Sequence, residues 1–237
     1  MIVLEPDYEI LSPKDLRGQG KKEIYRNIET AARNCYRSEG DFDEEKQKAF
    51  LRRLIAMGHE AMLEHAIISV RFVVDRGISH ELVRHREASY AQESTRYCNY
   101  GKSKFENQCA FINIDNAFET EEKREIIKEW AKACKDSETH YFNMLKLGAK
   151  PEIARSVLPN SLKTSLIVTA NIREWRHILR LRAVGTTGKP HPQMREIMLP
   201  LLREFSEIIP ELFDDLWNAA EQNASNKPIE RETEGVN

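Results

Sequence analysis

The sequence predicts one α+β domain. Helical apolar spacing dominates the chain, two segments carry strand patterning, and those strands do not alternate regularly with helices, which argues against a βαβ array. With 237 residues and 41% hydrophobic content there is ample material for a buried core. No internal repeat, low-complexity block or linker divides the chain. Residues 1–224 therefore read as the domain and residues 225–237 as a polar, disordered tail.

The elements follow in order. Residues 21–36 place Ile24, Ile28, Ala31, Ala32 and Cys35 at helical spacing. A second helix over 43–57 turns Phe50, Leu51, Leu54 and Ile55 inward and stops at Gly58. Residues 66–75 alternate, with Ile68, Val70, Phe72 and Val74 on one face, and read as a half-buried strand. Asp75-Arg76-Gly77 turns the chain into a helix over about 78–86, and an irregular loop is expected from there to about Tyr100. The longest helix, 120–147, carries Ile126, Ile127, Trp130, Cys134, Tyr141, Met144 and Leu145 as its apolar stripe, ending at Gly148. Pro151 opens a short helix that Pro159 closes. Ser165–Thr169 reads as a buried strand, residues 171–184 as helix, GTTGKPHP as loop, and 193–207 and 210–222 as the last helices.

Composition excludes several classes. The 36 basic and 38 acidic residues nearly balance, which argues against a general nucleic-acid binder. No apolar run approaches the roughly 20 residues of a membrane helix, and the N-terminus lacks a secretory pattern. The four cysteines form no CxxC pair, so the chain reads as a cytoplasmic protein with reduced thiols. GHEAMLEH and SHELVRH miss zincin spacing. His80 and His85 are five apart and His59 and His65 six, which rotates each pair about 140° or 120° apart on a helix, so no metal is expected. GTTGK lacks P-loop spacing, and no GxGxxG occurs.

RHREASYAQESTRY, residues 84–97, is dense in donors. Arg84 and Arg86 flank His85, and Ser94, Arg96 and Tyr97 follow. Guanidinium groups stay charged and match phosphate oxygens bidentately. On chemistry alone, a solvated charged face accounts for the stretch as well as an anion grip does. A second cluster comprises Arg155, Asn171, Arg173, His177, Arg180 and Arg182. On one helix Arg173 and His177 share a face, while Arg182 lies about 180° from Arg173. Arg176 and Arg180 read as surface charge.

The stretch RHREASYAQESTRY resembles the RHR-x7-S signature of the flavin-dependent thymidylate synthases, with Arg84-His85-Arg86 as the triplet and Ser94 as the serine. GHEAMLEH is similar to the family's GHExxxEH, and IARSVLP, TANIREWRHILRLR and HPQMREI look like its later blocks. The likeness runs from AARNCY to about residue 205.

The resemblance implies a small, mostly antiparallel sheet flanked by helices, in a homotetramer whose active sites lie at subunit interfaces. It implies conversion of dUMP to dTMP, with methylenetetrahydrofolate giving the carbon and NADPH-reduced FAD the hydride. Arg84, His85 and Arg86 would contact FAD, with Arg84 also beside the nucleotide. His59 and Glu64 would flank flavin and folate, and Asn171, Arg173 and His177 would hold FAD. Ser94, Arg96 and Arg155 would bind dUMP, chiefly its phosphate, within a segment that includes Gln92, Glu93 and Thr95. Arg182, the catalytic residue implied, would favour the N3-deprotonated uracil.

Some positions depart from relatives. Glu81, in the nucleotide-binding segment, stands where glutamine is common, Gln92 and Ala61 replace a glutamate and a threonine, and Cys35 takes the place of a serine that can meet FAD. Ser94 occupies a nucleophile-like position, but nothing nearby in sequence supplies its base, so it reads as a binding hydroxyl. No cysteine sits in a recognisable nucleophile motif. Alternative readings are another flavin or nucleotide enzyme on the same scaffold, or an RNA-binding module built on arginines and tyrosines.

Overall fold

The computed structural model describes residues 1–38, 43–102 and 107–225. Alternation dictates its centre, because a strand sends successive side chains to opposite faces. β3 (Ile67–Asp75) and β6 (Lys163–Asn171) pair antiparallel along their whole length. Ile68, Val70, Phe72 and Val74 lie opposite Ala170, Val168, Leu166 and Thr164, and all are buried. β2 (Asp7–Ser12) adds to β3, and β4 (Ser89–Gln92) adds to β6, giving the order β2-β3-β6-β4. β1 (Ile2–Leu4) and β5 (Ala110–Ile112) form a separate parallel pair. The sheet is small and mostly antiparallel, as the resemblance implied.

β4 corrects the expectation of an irregular loop after Arg86. Its four residues are too few to show a period, and long-range pairing with β6 supplies what local pattern does not. Tyr90 anchors it by donating to the carbonyls of Leu82 at 2.8 Å and His85 at 2.6 Å.

Helices α1 (Gln19–Tyr36), α2 (Glu44–Ala56), α6 (Ile172–Leu179), α7 (Pro192–Ile208) and α8 (Pro210–Ser225) contribute to one core with the sheet. Trp175 is central. It is fully buried, its indole N–H donates to Ile68 O at 2.9 Å, and its ring meets Phe205 edge-on at 5.8 Å. A second cluster joins β5 to α4 (Lys123–Lys146) through Phe111, Cys134, Tyr141 and Leu162. Ile126, expected on that stripe, is exposed, since it sits about 100° around the helix from Ile127.

Three boundaries matter for the site. α3 (Arg76–Leu82) starts two residues earlier than expected and ends before the arginine triplet. Asp75 caps it, accepting from the Ile78 amide at 2.7 Å. α5 (Pro151–Ala154) runs into a 3-10 turn at Arg155–Val157. The helix expected to run regularly to 184 changes at Leu179 into a π turn, Arg180–Val184, closed by Gly185 at φ +81°. Beyond Leu179 the 100° rule fails, so Arg182 cannot be placed by α-helical counting. Of the expected tail, Ser225 ends α8, and residues 226–237 lie outside the described residues. Among the described residues no helix is long and apolar enough to cross a membrane.

Candidate active site

The two arginine clusters meet within one chain. Arg182, on the π turn, reaches back to the end of α3 and the turn after it. Its Nε donates to His85 Nε2 at 3.1 Å, and its Nη1 lies 2.8 Å from Glu81 Oε2. Arg84 and Arg86 are exposed on either side of His85, which is buried. Because Arg182 can only donate, His85 Nε2 must accept, so the ring is neutral with its proton on Nδ1. Burial, then the charges of Arg182 and His177, push the His85 pKa down to about 4. The Nδ1 atom faces Glu174 Oε1 at 3.8 Å, and burial pushes the Glu174 carboxyl up from its ordinary value. His177 meets His85 edge-on, with ring centroids 5.7 Å apart.

Asn171 caps α6, its Oδ1 accepting from the Glu174 amide at 2.8 Å. The 3-10 segment Glu60–His65 lies alongside, led by exposed His59. Arg173 pairs with Glu64 at 2.6 Å, and Arg180 with Glu60 at 3.3 Å. Cys35, exposed near the end of α1, places its sulfur 3.9 Å from that of Met62. Arg176 corrects its reading as surface charge. It is 2% exposed, grips Asp215 with both terminal nitrogens at 2.8 and 2.6 Å, and donates to Leu212 O. Arg180 is only partly exposed.

A second group gathers at the other end of α3. Thr95 is buried, and its hydroxyl accepts from Arg155 Nη1 at 3.1 Å. Arg96 bonds Glu152 at 3.1 Å, and its guanidinium lies 5.4 Å from the Tyr97 ring centre. Ser94 Oγ accepts from the Arg96 amide at 3.3 Å. Glu93 pairs with Lys163 at 2.7 Å, while Gln92 turns inward to Ser79 at 2.8 Å and Thr164 at 3.2 Å. Arg76, Thr95, Arg155, Ser156 and Asn160 line a cleft of about 330 Å³.

The structure thus joins Glu81, His85, His177 and Arg182 around one buried imidazole, with Arg84 and Arg86 beside it. It joins Thr95 to Arg155, with Ser94 and Arg96 close by. Sequence reasoning missed Glu60, Glu174 and Arg76. Glu60 lies inside the GHEAMLEH block. Glu174 has a cap signature, as it follows Asn171 by three residues. Arg76 sits in a stretch read only as a turn.

A family model described as "Thymidylate synthase complementing protein" matches residues 21–211. The flavin-dependent thymidylate synthase of Geobacter sulfurreducens is 34% identical over 196 residues, covering 79% of this chain and 80% of that one. That of Corynebacterium aurimucosum is 32% identical over 212 residues, covering 83% and 82%. Among solved structures, the UMP/dUMP methylase PolB from Streptomyces cacaoi, bound with 5-Br dUMP, superposes with a TM-score of 0.71 at 20% identity, over 92% of this chain and 97% of that one. Its complex with 5-Br UMP gives 0.74 at 18% identity, over 93% and 97%. At those identities the likeness is one of fold.

Proposed function

The chain belongs to the thymidylate synthase complementing family, that of the flavin-dependent thymidylate synthases, and from that premise we propose that it converts dUMP to dTMP, with 5,10-methylenetetrahydrofolate as one-carbon donor and NADPH-reduced FAD as hydride source. The observation that carries the reading is Arg182 held by His85 and Glu81, residues about a hundred positions away. A guanidinium fixed on two sides stabilises a developing anion without reorganising. Against the uracil it would favour the N3-deprotonated form. It cannot serve as a base, so its role is electrostatic.

The donor set suits a flavin dinucleotide. Arg84 and Arg86 are exposed and form no ion pair among the described residues, and a pyrophosphate is the dianion such guanidiniums match. His59, Glu64, Asn171, Arg173 and His177 would complete the flavin site, with Cys35 and His85 also contributing to it. Bound there and reduced by NADPH, FAD supplies the hydride.

Ser94, Arg96 and Arg155 would take the phosphate of dUMP, with Arg84 and Glu81 nearer the base. Gln92, Glu93 and Thr95 shape that segment through their bonds to β6, α3 and Arg155. A homotetramer with shared sites agrees with the apolar surface beside this group, where Tyr97, Ile153 and Val157 are exposed. Residues 1–224 would form the catalytic domain, in the cytoplasm.

The test is direct. Purified protein should show a flavin spectrum, and added dUMP, methylenetetrahydrofolate and NADPH should yield thymidylate. Flavin present but no thymidylate, with dUMP bound, would overturn the reading in favour of another flavin enzyme.

A further inference from the structure

Arg76 is the one described arginine with a terminal nitrogen that is buried and lacks any hydrogen-bond partner. Its backbone is fixed, since its amide donates to Asn160 O at 2.9 Å and Leu162 O at 3.1 Å. Its side chain lines the cleft that Thr95, Arg155, Ser156 and Asn160 share, and no carboxylate lines that cleft. Arg155 bonds only the Thr95 hydroxyl and the Glu152 carbonyl there, so among the described residues its charge too has no carboxylate partner.

A guanidinium cannot shed its proton to escape burial. Arg76 is half-buried, and burying its Nη1 donor with neither a hydrogen bond nor a counter-charge is costly unless an anion completes the site. Arg76 and the exposed Arg155, with hydroxyls at Thr95 and Ser156, line one cleft. That set matches a phosphate monoester, which carries up to two negative charges and three terminal oxygens to be shared among donors.

We propose that Arg76 is a phosphate-binding residue, its Nη1 joining Arg155 to grip the 5′-phosphate of the nucleotide substrate. The inference deepens the functional proposal above and rests on it for the identity of the nucleotide, though not for the presence of an anion site. Arg76 then sets specificity: it distinguishes a nucleotide from its nucleoside.

The test uses the flavin-bound protein and the variant Arg76→Met, which keeps length and removes charge. Calorimetric titration with dUMP should show binding roughly 10- to 100-fold weaker in the variant, as loss of one charge-assisted bond predicts. Binding of deoxyuridine, which has no phosphate, should not change. Without ligand the variant should melt at the same or a higher temperature, because an uncompensated charge has gone, and the rise in melting temperature with inorganic phosphate should shrink. Equal dUMP affinity in the two proteins, or an equal loss for deoxyuridine, overturns the proposal. So does a lower melting temperature with an undiminished phosphate effect, which marks a structural arginine. A wild-type protein that makes no thymidylate, yet binds inorganic phosphate in an Arg76-dependent way, would sink the functional reading and leave this one standing.

Discussion

The arginines drawn into the fold at the two ends of α3 are treated differently. At the C-terminal end the arginines carried after β6 have internal partners, Arg182 with Glu81 and His85, Arg173 with Glu64, Arg180 with Glu60 and Arg176 with Asp215, whereas Arg84 and Arg86 stay exposed without an ion pair among the described residues. At the N-terminal end Arg96 pairs with Glu152, but Arg76 and Arg155 share a cleft lined, among the described residues, by hydroxyls and no carboxylate. The difference separates guanidiniums already oriented by a carboxylate from those still open to an anion. A paired guanidinium is held in place and acts through its orientation. An unpaired one retains its full capacity for an incoming anion.

The contrast would fail first at Arg182. Arg182→Ala should leave flavin bound and lower turnover by roughly 100- to 1000-fold, the range for removing one preorganised donor. Steady-state thymidylate formation reads this, and near-normal turnover would remove Arg182 from the chemistry.

His85 gives a pH test of the same partnered end. Arg182, His177 and Glu174 surround it, and its folded pKa of about 4 lies below the roughly 6.5 of an unfolded histidine. Between those values the unfolded chain holds the extra proton. Stability therefore should fall as pH drops from about 6.5 to about 4, by about 3 kcal/mol at most. Denaturant unfolding across that window, compared with His85→Gln, measures it. An identical slope in the variant would mean that some other group is responsible.

Arg176→Ala should cost about 2–3 kcal/mol, discounted because its partner Asp215 is 46% exposed. Thermal unfolding checks this, and a loss below about 0.5 kcal/mol would restore Arg176 to the surface class. Arg86→Ala should loosen flavin roughly tenfold, which ultrafiltration of the yellow protein would show. The smallest effect belongs to Ser94→Ala. It should weaken dUMP binding by about threefold to tenfold while leaving measurable turnover. Complete loss of turnover with dUMP still bound would make Ser94 a nucleophile.

Much of the fold is legible in the sequence alone. The alternation through Ile68, Val70, Phe72 and Val74 announced β3, because period two has one structural meaning at that length. The spacing of Leu51 and Leu54 announced α2, and RHREASYAQESTRY carried the family likeness. β4 was not legible, since four residues hold no reliable period. The heading of Arg182 was not either, because α-helical counting assumes a turn that ends at Leu179.

Local order in this protein was written in the chain: helix and strand periods, and the donors of the two arginine clusters. Only folding decided which arginine meets which carboxylate. Glu81 and Arg182 are 101 residues apart, and no local pattern records that encounter. Nor did sequence distinguish Arg76, which meets no carboxylate among the described residues, from Arg176, locked to Asp215. The reason is physical. Periodicity depends on neighbours within a turn or a strand, whereas the partner of a charge depends on which surfaces the core brings together.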